Sequence, residues 1–523
     1  MSNNNINPQD SHRSILKSTS VLSFGTFSSR ILGFIRDIIL ARLLGTGLRA
    51  DAFFVALKIP NLFRSFVGEG ATNAAVVPVF SEYQVRQEKA EFWRFVSVML
   101  ILALIVLSII TLVGIVAAPL IVRLIAPGFM ADPEKLALTI RLTKIMFPYL
   151  VLIGLAAYSM AVLYSLRLFA APAFSPCLFN LALIGGALIS ARWMPEPVFG
   201  LAWAVLIGGL LQLAVQGVAL KRQGMQWYLP ATLRHPGAMR IGRLLVPRLL
   251  GAGVYQLTVF IDTFCASLAA IVGAGGISAI YYANRIIQFP MGLFSIALAS
   301  AVLPTLSGLI AVEDMDRFKN MLAFSLKNIS YVIFPTSVLT ILLATPVIRI
   351  LFERGAFDAY STGITSSALL FYALGLFSFS GIKILVSAFY ALQDTKTPVK
   401  VAAVCLGINT VLNFILMFPM GIGGIALASS IAASTDFVIL FVLLEKRIGP
   451  LAAGFRAYAF NLLIASFVMA GAVFACWKYM PALHEILRVV IVTGVGFVVY
   501  GLVTGLLGVE QSRQIWRIIS GRR

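Results

Sequence analysis

Apolar stretches long enough to cross a bilayer, which takes ~20 residues, recur along almost the whole chain, from Ser18 to Gly508. Only 12% of the residues are charged, against ~25% in soluble domains. The longest polar gap, from Lys221 to Arg243, is too short for a folded soluble domain. The sequence therefore predicts an all-α polytopic membrane protein.

Fourteen spans are predicted, with ends uncertain by a few residues. They cover residues 18–45, 50–84, 92–126, 135–166, 172–193, 197–221, 240–271, 276–310, 317–352, 361–392, 397–419, 421–445, 455–480 and 485–508. The polar N-terminus lacks the apolar core and cleavage site of a signal peptide, so the first helix is expected to stay attached. The predicted parts are a cytoplasmic tail (1–17), an N-lobe (18–225), a C-lobe (238–450), two extra helices (451–508) and a basic tail (509–523).

The formal net charge of +20 is concentrated in alternate connections between the predicted spans. Lys221-Arg222, Lys446-Arg447 and the C-terminal tail are basic, whereas the intervening connections, such as 272–276, are nearly free of charge. This alternation follows the positive-inside rule. It predicts that both termini are cytoplasmic and explains the charge without a nucleic acid. The four cysteines all lie in apolar segments without metal-ligand spacing, and we interpret them as buried apolar residues.

The chain repeats itself at an offset of about 226 residues (301 − 75). Shared prolines and basic pairs keep this offset with a drift of one or two residues. The matches include Ala75–Pro78 with Ala301–Pro304, Tyr164 with Tyr390, Leu166 with Leu392, Pro172 with Pro398, and Lys221-Arg222 with Lys446-Arg447. Each half then holds six helices of the same topology, as in two-lobed transporters whose substrate lies at the lobe interface. The two C-terminal helices lie outside the repeat.

Several charged residues fall inside predicted spans, where each costs at least a few kcal/mol and therefore indicates a functional site. They are Arg30, Arg36, Asp37 and Arg42 in the first span, Asp51, Lys58, Arg64 and Glu69 in the second, and Arg285 in the eighth. Some of them, such as Arg42, suit helix ends that reach the headgroups. A structural pairing of Arg36 with Asp37 or Asp51 is the alternative to a binding role.

The arginines favour an anionic ligand, because the planar guanidinium binds phosphate oxygens in a bidentate way and keeps its charge. Arg30 and Arg36 point ~120° apart on a straight helix, and Gly33 between them offers a bend. Similar breaks that would line a water-filled cavity are predicted at Pro60, Gly68, Gly70, Pro290 and Gly292. Several arginines around one cavity suggest a diphosphate or a similar polyanion.

A second polar set lies in the C-terminal half. Asp262 is in the seventh span, and Asn409 and Asn413 share one face of the eleventh. Ser429, Ser430 and Asp436 lie on the twelfth span. Hard oxygen ligands of this kind bind a small cation such as sodium, and hydrogen bonding between helices is an equally good interpretation. Lys383, in the tenth span, has no assigned role.

Three segments carry a resemblance to the MviN/MurJ family of lipid II flippases. They are SSRILGFIRDIILARLLGTGLRADAFFVALKIPNLFRSFVGEGA, YYANRIIQFPMGLFSIALASAVLPTLS and ALQDTKTPVK. The resemblance extends over nearly the whole chain. It implies two six-helix lobes, alternating access, and transport of an undecaprenyl diphosphate that carries a disaccharide-pentapeptide.

The resemblance also implies roles for individual residues. Arg36, Arg64 and Arg285 would hold the diphosphate, and the further polar positions of the cavity are Arg30, Asp37, Asp51, Asn61, Ser278 and Gln288. Asp262, Asn409 and Asn413 are similar to positions that bind sodium in some members. Asn284 and Gln288 stand where acidic residues are expected, and Asn413 stands in place of an aspartate, which makes both sites less acidic.

Lipid II, membrane lipids and cell-wall synthesis proteins are the partners that the resemblance implies, in the bacterial cytoplasmic membrane. No cofactor is required, apart from a candidate sodium ion. A flippase for another polyprenyl-diphosphate oligosaccharide is the main alternative. A multidrug exporter is disfavoured by the arginines, a membrane enzyme by the lack of catalytic motifs, and a scaffold by the cost of mid-membrane charges.

Overall fold

A computed structural model describes residues 8–67, 71–228, 232–451, 455–481 and 483–519, with side chains except at 8–19, 63–67, 71–75, 246–252, 254–255, 456 and 515–519. Throughout these ranges the regular structure is helical, with no β-strand. Helices suit lipid because they satisfy their backbone hydrogen bonds internally. The side chains of Val116, Phe467 and Leu506 are 81%, 81% and 87% exposed, as expected for residues that face lipid.

The chain divides into two compact units, Met1–Gln256 and Leu257–Arg523. The first unit contains α1 (Pro8–Leu44), α2 (Leu48–Val67), α3 (Ala71–Arg86), α4 (Lys89–Ile125), α5 (Pro133–Met146), α6 (Tyr149–Ser165), α7 (Ala170–Trp193), α8 (Pro197–Arg222) and the start of α9 (Pro236–Ala266). The second continues with α10 (Ala269–Val272), α11 (Gly276–Pro290), α12 (Ile296–Ala311), α13 (Met315–Leu342), α14 (Ala344–Phe352), α15 (Ala359–Leu374), α16 (Leu376–Ala391), α17 (Lys396–Met420), α18 (Ile422–Ile448), α19 (Phe455–Tyr479), α20 (Glu485–Leu506) and α21 (Glu510–Ile519).

Within the described ranges, ten segments are long and apolar enough to cross a membrane, or eleven if α15 and α16, bent by 46°, form one span. These eleven correspond to eleven of the predicted spans, and the all-helical polytopic class is confirmed. The other three predictions fall on α1, on α2 with α3, and on α9. α1 and α2 carry charges along their length, and α9 is described only in part. The total of fourteen stays a prediction.

The internal repeat is visible in the helices themselves. α4 and α13, α5 and α15, and α7 and α17 each start 226 residues apart (315 − 89, 359 − 133 and 396 − 170). Asp132 and Asp358 (358 − 132 = 226) both cap the helices that follow them, by accepting hydrogen bonds from the backbone N–H groups of Lys135 and Ser361. An N-cap carboxylate satisfies a donor that the helix itself leaves unpaired. The repeat therefore extends to the caps.

The helix breaks predicted at Pro60 and at Pro290 have different outcomes. α2 continues as a helix through Pro60, so the break expected there is wrong, whereas Gly68 and Gly70 lie outside the described residues. After Pro290 the helix changes to a π-helical turn, Met291–Ser295, before α12 begins. A proline removes a backbone donor, and π-turns are local irregularities common at functional sites. α1 is unbroken across Gly33.

The two helices outside the repeat belong to the second unit and pack against its helix α13. Buried side chains of α19 and α20, including Met469, Val473 and Val492, share a core with Leu339 of α13. The Tyr500 hydroxyl donates to the carbonyl of Tyr331 at 3.0 Å. These helices are therefore fixed to α13.

Candidate functional site

Arg36 lies buried in the first unit and is held by two other polar side chains. Its Nε and Nη2 donate to Asp37 Oδ1 at 3.0 and 2.8 Å, and its Nη1 donates to Asn180 Oδ1 at 2.9 Å. Asn180 in turn donates to the backbone carbonyl of Ser29 at 2.9 Å. The three side chains tie α1 to α7 and fix the orientation of the guanidinium. The pairing of Arg36 with Asp37 that the sequence left open is present.

Asp51 is paired with a residue that the sequence reasoning missed. Lys135 Nζ lies 2.7 Å from Asp51 Oδ2, and the two side chains are 8% and 2% exposed. The ammonium also lies 4.2 Å from the centre of the Phe129 ring. Lys135 is the first residue of the predicted span 135–166, and its charge there was the signal for this ion pair.

The other predicted residues of the first unit have different environments. Arg30 and Arg42 are exposed. Asn61, on α2, donates to the carbonyl of Leu57 at 3.0 Å, one helical turn away. The side chains of Arg64 and Glu69 lie outside the described residues. Arg36 is thus the arginine of this unit for which the structure describes a fixed, buried setting.

In the second unit, α11 carries Arg285 half-buried beside a tyrosine. Its guanidinium carbon lies 5.4 Å from the centre of the Tyr281 ring, and Nη2 donates to the Tyr281 hydroxyl at 3.4 Å. Gln288, one turn further, is exposed and donates to Asn284 Oδ1 at 3.4 Å. Ser278 is buried and donates to the carbonyl of Gly275 at 3.0 Å. The two amides thus bond to each other where carboxylates were expected.

Asp262, Asn409 and Asn413 come together in the structure, with Ser429 as a fourth member. Asp262 Oδ1 accepts from Asn413 Nδ2 at 2.9 Å, and Oδ2 accepts from the Ser429 hydroxyl at 3.3 Å. Asn413 also donates to Asn409 Oδ1 at 3.2 Å, and both asparagines are at most 1% exposed. We call these four residues the α9–α17–α18 cluster.

The α9–α17–α18 cluster is the candidate cation site. Its oxygens belong to a carboxylate, two amides and a hydroxyl, which are ligand types of hard cations. Asn413 Oδ1 is buried and has no hydrogen-bond partner among the described residues. An orphaned buried oxygen is costly unless something binds it. One carboxylate balances one monovalent charge.

Asp436 interacts with a residue outside this cluster. Its carboxylate interacts electrostatically with Lys383 of α16, which the sequence left without a role. The Ser378 and Ser434 hydroxyls join the same two helices, α16 and α18, at 3.0 Å. Asp436 is therefore associated with the packing of these helices.

The small residues of α19 and α20 fall into two groups. Ala465 is fully buried, and a side chain at Gly496 would meet Leu339 and Val473 at 3.0 Å. Side chains at Gly471, Gly494 and Gly501 would meet nothing within 4 Å. The first group packs the helices, whereas the second leaves parts of their surface open.

The comparisons with known proteins agree on one family. A family model described as lipid II flippase MurJ matches residues 40–492. The chain belongs to the MurJ family. The lipid II flippase MurJ of Burkholderia cenocepacia is 35% identical over 86% of this chain and 88% of its own length. The probable lipid II flippase MurJ of Rhizobium tropici is also 35% identical, over 98% and 97%.

Solved structures place the MurJ fold in a wider group. A lipid II flippase MurJ in an inward closed conformation matches with a TM-score of 0.78 and 27% identity, over 93% of this chain and 98% of its own. An inward-facing multidrug resistance MATE transporter of the MOP superfamily matches with a TM-score of 0.66 and 16% identity, which shows a shared fold. Membership of a flippase family makes the chain a transporter and not an enzyme.

Proposed function

We propose that this MurJ-family chain carries lipid II from the inner to the outer leaflet of the bacterial cytoplasmic membrane, by alternating access, for cell wall synthesis. The family match over residues 40–492 carries the proposal. The buried guanidinium of Arg36 supports it, because ionisable residues inside a membrane protein commonly mark substrate pathways.

The diphosphate of lipid II is the part of the substrate that arginines recognise. We assign it to Arg36, Arg64 and Arg285, with Arg30, Asp37, Asp51, Asn61, Ser278 and Gln288 as further polar positions. Asp37 and Asn180 act as positioning residues, since their hydrogen bonds hold the Arg36 fork in one orientation. Preorganised donors bind an anion without first having to be ordered themselves.

The α9–α17–α18 cluster is the proposed site of a sodium ion. Asp262 supplies the charge, while Asn409, Asn413 and Ser429 supply neutral oxygens, and the orphaned Asn413 Oδ1 becomes a ligand. A cation that bridges α9, α17 and α18 would favour the conformation in which these helices lie close together. Its binding energy would then be coupled to the transport cycle.

The polyprenyl tail is proposed to lie along α19 and α20. It is apolar and too long for a polar cavity, and the open faces at Gly471, Gly494 and Gly501 admit a chain close to the backbone. Both termini are proposed to be cytoplasmic, because the basic connections alternate along the chain as the positive-inside rule requires.

Depletion of the protein in its host tests the substrate. Lipid II should accumulate in the inner leaflet, where an extracellular lipid II-cleaving enzyme does not reach it, while total lipid II rises. Accumulation of a different polyprenyl-diphosphate oligosaccharide, with lipid II distributed normally, would replace the proposal with an oligosaccharide flippase.

A further inference from the structure

A groove of about 800 Å³ lies at one end of the first unit, between α1, the α6–α7 turn and the last turns of α8. Its walls are apolar, with Val215, Val218 and Ala219 of α8 among them. Two exposed arginines, Arg167 and Arg222, stand at its polar end. Within the described ranges, neither arginine has a carboxylate at ion-pair distance. Among the described residues, the groove therefore combines an apolar wall with two exposed positive charges.

The internal repeat contains a second version of this turn. Arg167 and Gln393 (393 − 167 = 226) both have a φ of 59°. Their N–H groups donate to Tyr164 and Tyr390, at 3.0 Å in each half. The next N–H donates five residues back in both halves, at 2.8 and 2.9 Å. The two turns are thus the same backbone structure with different side chains.

In the second half, a carboxylate occupies the centre of this turn. Asp394 Oδ1 accepts from the backbone N–H groups of Lys396 and Thr397 at the start of α17, at 3.1 and 3.0 Å. Its Oδ2 accepts from Arg447 at 2.8 Å. The pKa of Asp394 is lowered, first by the backbone N–H of Thr397 and also by the charge of Arg447. This position of the turn stabilises a negative charge.

In the first half, the anion of this arrangement is missing. Leu168 stands where the second half has Asp394, and Arg222 corresponds to Arg447 (447 − 222 = 225). α7 begins after Phe169, which offers no side-chain oxygen to its N-terminal N–H groups. The helix N-terminus carries partial positive charge. An arginine and a helix N-terminus that hold a carboxylate in one half thus line an open groove in the other.

We propose that this groove binds an anionic phospholipid, whose phosphate supplies the negative charge that the Asp394 carboxylate supplies in the second half. Arg222, Arg167 and the N-terminus of α7 bind the phosphate, and the acyl chains lie along the apolar walls. Basic residues at the cytoplasmic ends of spans are the usual sites for anionic headgroups. The apolar walls of α8 select a lipid over a free anion.

The test measures the melting temperature and lipid adducts of the full chain purified in detergent, with added phosphatidylglycerol or phosphatidylcholine. Phosphatidylglycerol should raise the melting temperature of the wild type and remain bound in native mass spectrometry. Arg222→Gln should weaken its apparent affinity about tenfold, the loss of one charge-assisted contact. Leu168→Asp should abolish binding, because the new carboxylate pairs with Arg222 and caps α7.

Two variants serve as controls. Leu168→Asn has the shape of aspartate without its charge and should keep phosphatidylglycerol binding, and Arg447→Gln should keep it too. Unchanged binding in Arg222→Gln would overturn the proposal, whether or not Leu168→Asp folds. Equal protection by inorganic phosphate would overturn the choice of a lipid. Displacement of phosphatidylglycerol by undecaprenyl diphosphate at equimolar concentration would make the groove a substrate site instead.

Discussion

Arg36 and Asp37, adjacent in sequence, form an ion pair of 2.8 Å in which the side chains are 7% and 0% exposed. The guanidinium is therefore both a candidate ligand for a diphosphate and the partner of a buried carboxylate. Loss of activity on mutation of Arg36 alone does not separate these roles, because the mutation also removes an ion-pair partner of the buried Asp37 carboxylate. Removal of one partner of a buried pair costs about 3–5 kcal/mol.

A double variant separates the two roles of Arg36. Arg36→Ala should lose flipping and melt at a lower temperature, whereas Arg36→Ala with Asp37→Ala should recover most of the stability and still fail to flip. Arg36→Lys should be a poor substitute, since a point charge does not reproduce the fork. If the double variant complements a depleted host, the pair is structural and Arg36 does not bind the diphosphate.

Asp51 and Lys135 should be coupled in the same way. A double-mutant cycle with Asp51→Asn and Lys135→Met should give a coupling energy of at least about 1 kcal/mol in thermal unfolding. The reason is that the pair is nearly fully buried, so each single change removes this ion-pair contact from a charge that water does not reach. Additive single effects would mean that the 2.7 Å contact contributes little.

The sequence predicted most of the helical organisation because it is encoded locally. Apolar runs of sufficient length marked eleven of the spans, and matched prolines gave the repeat that the helix starts reproduce. A π-helical turn follows Pro290, where a break was predicted, although Gly276–Ala311 remains one span. Pro60 shows the limit of this reasoning, since α2 accommodates it within a continuous helix. A proline removes one backbone donor and fixes one dihedral angle, and the packing of neighbouring helices decides whether the helix breaks.

The site was only partly predictable, because its contacts are long-range. Arg36 was expected to be buried from its apolar neighbours, but Asn180 lies 144 residues away, and nothing near Arg36 points to it. Lys135 meets Asp51 across 84 residues. Asn409 and Asn413 were placed together by helical spacing alone, whereas their joint contact with Asp262 depends on the packing of three helices.

Sodium should stabilise the protein through the α9–α17–α18 cluster. Replacement of choline by sodium should raise the melting temperature of the wild type. At a sodium concentration 100 times the dissociation constant, the free energy of unfolding should rise by about 2.7 kcal/mol. Asp262→Asn and Asn413→Ala should remove this effect. Asp436→Asn is the matched control, because it removes a membrane carboxylate outside the cluster. If neither the stability nor the transport activity of the wild type depends on sodium, the proposed sodium site is excluded.

The topology is testable with single cysteines on a suitable background. Cys177, Cys265 and Cys405 are buried and Cys476 is half-buried. Cys476→Ser should therefore give a background protein that reacts little with the thiol reagent. Ala274→Cys, which avoids the positive φ of Gly273 and Gly275, should react with an impermeant thiol reagent in intact cells. Leu233→Cys, also exposed, should resist until the cells are opened. The reverse pattern would place the termini outside.

The open glycines of α19 and α20 should decide where the polyprenyl tail lies. Leucine at Gly471, Gly494 and Gly501 meets no protein atom within 4 Å of the new Cβ, so the folded protein should be retained, and glycine is in any case a poor helix former. If the tail lies on this surface, the triple variant should capture long-tailed substrate less well and short-tailed analogues as before. Gly496→Leu is the contrasting control, because it clashes with Leu339 and Val473 and should lower stability for both substrates alike. If the triple variant captures long-tailed and short-tailed substrate as well as the wild type does, these glycines have no part in binding the tail.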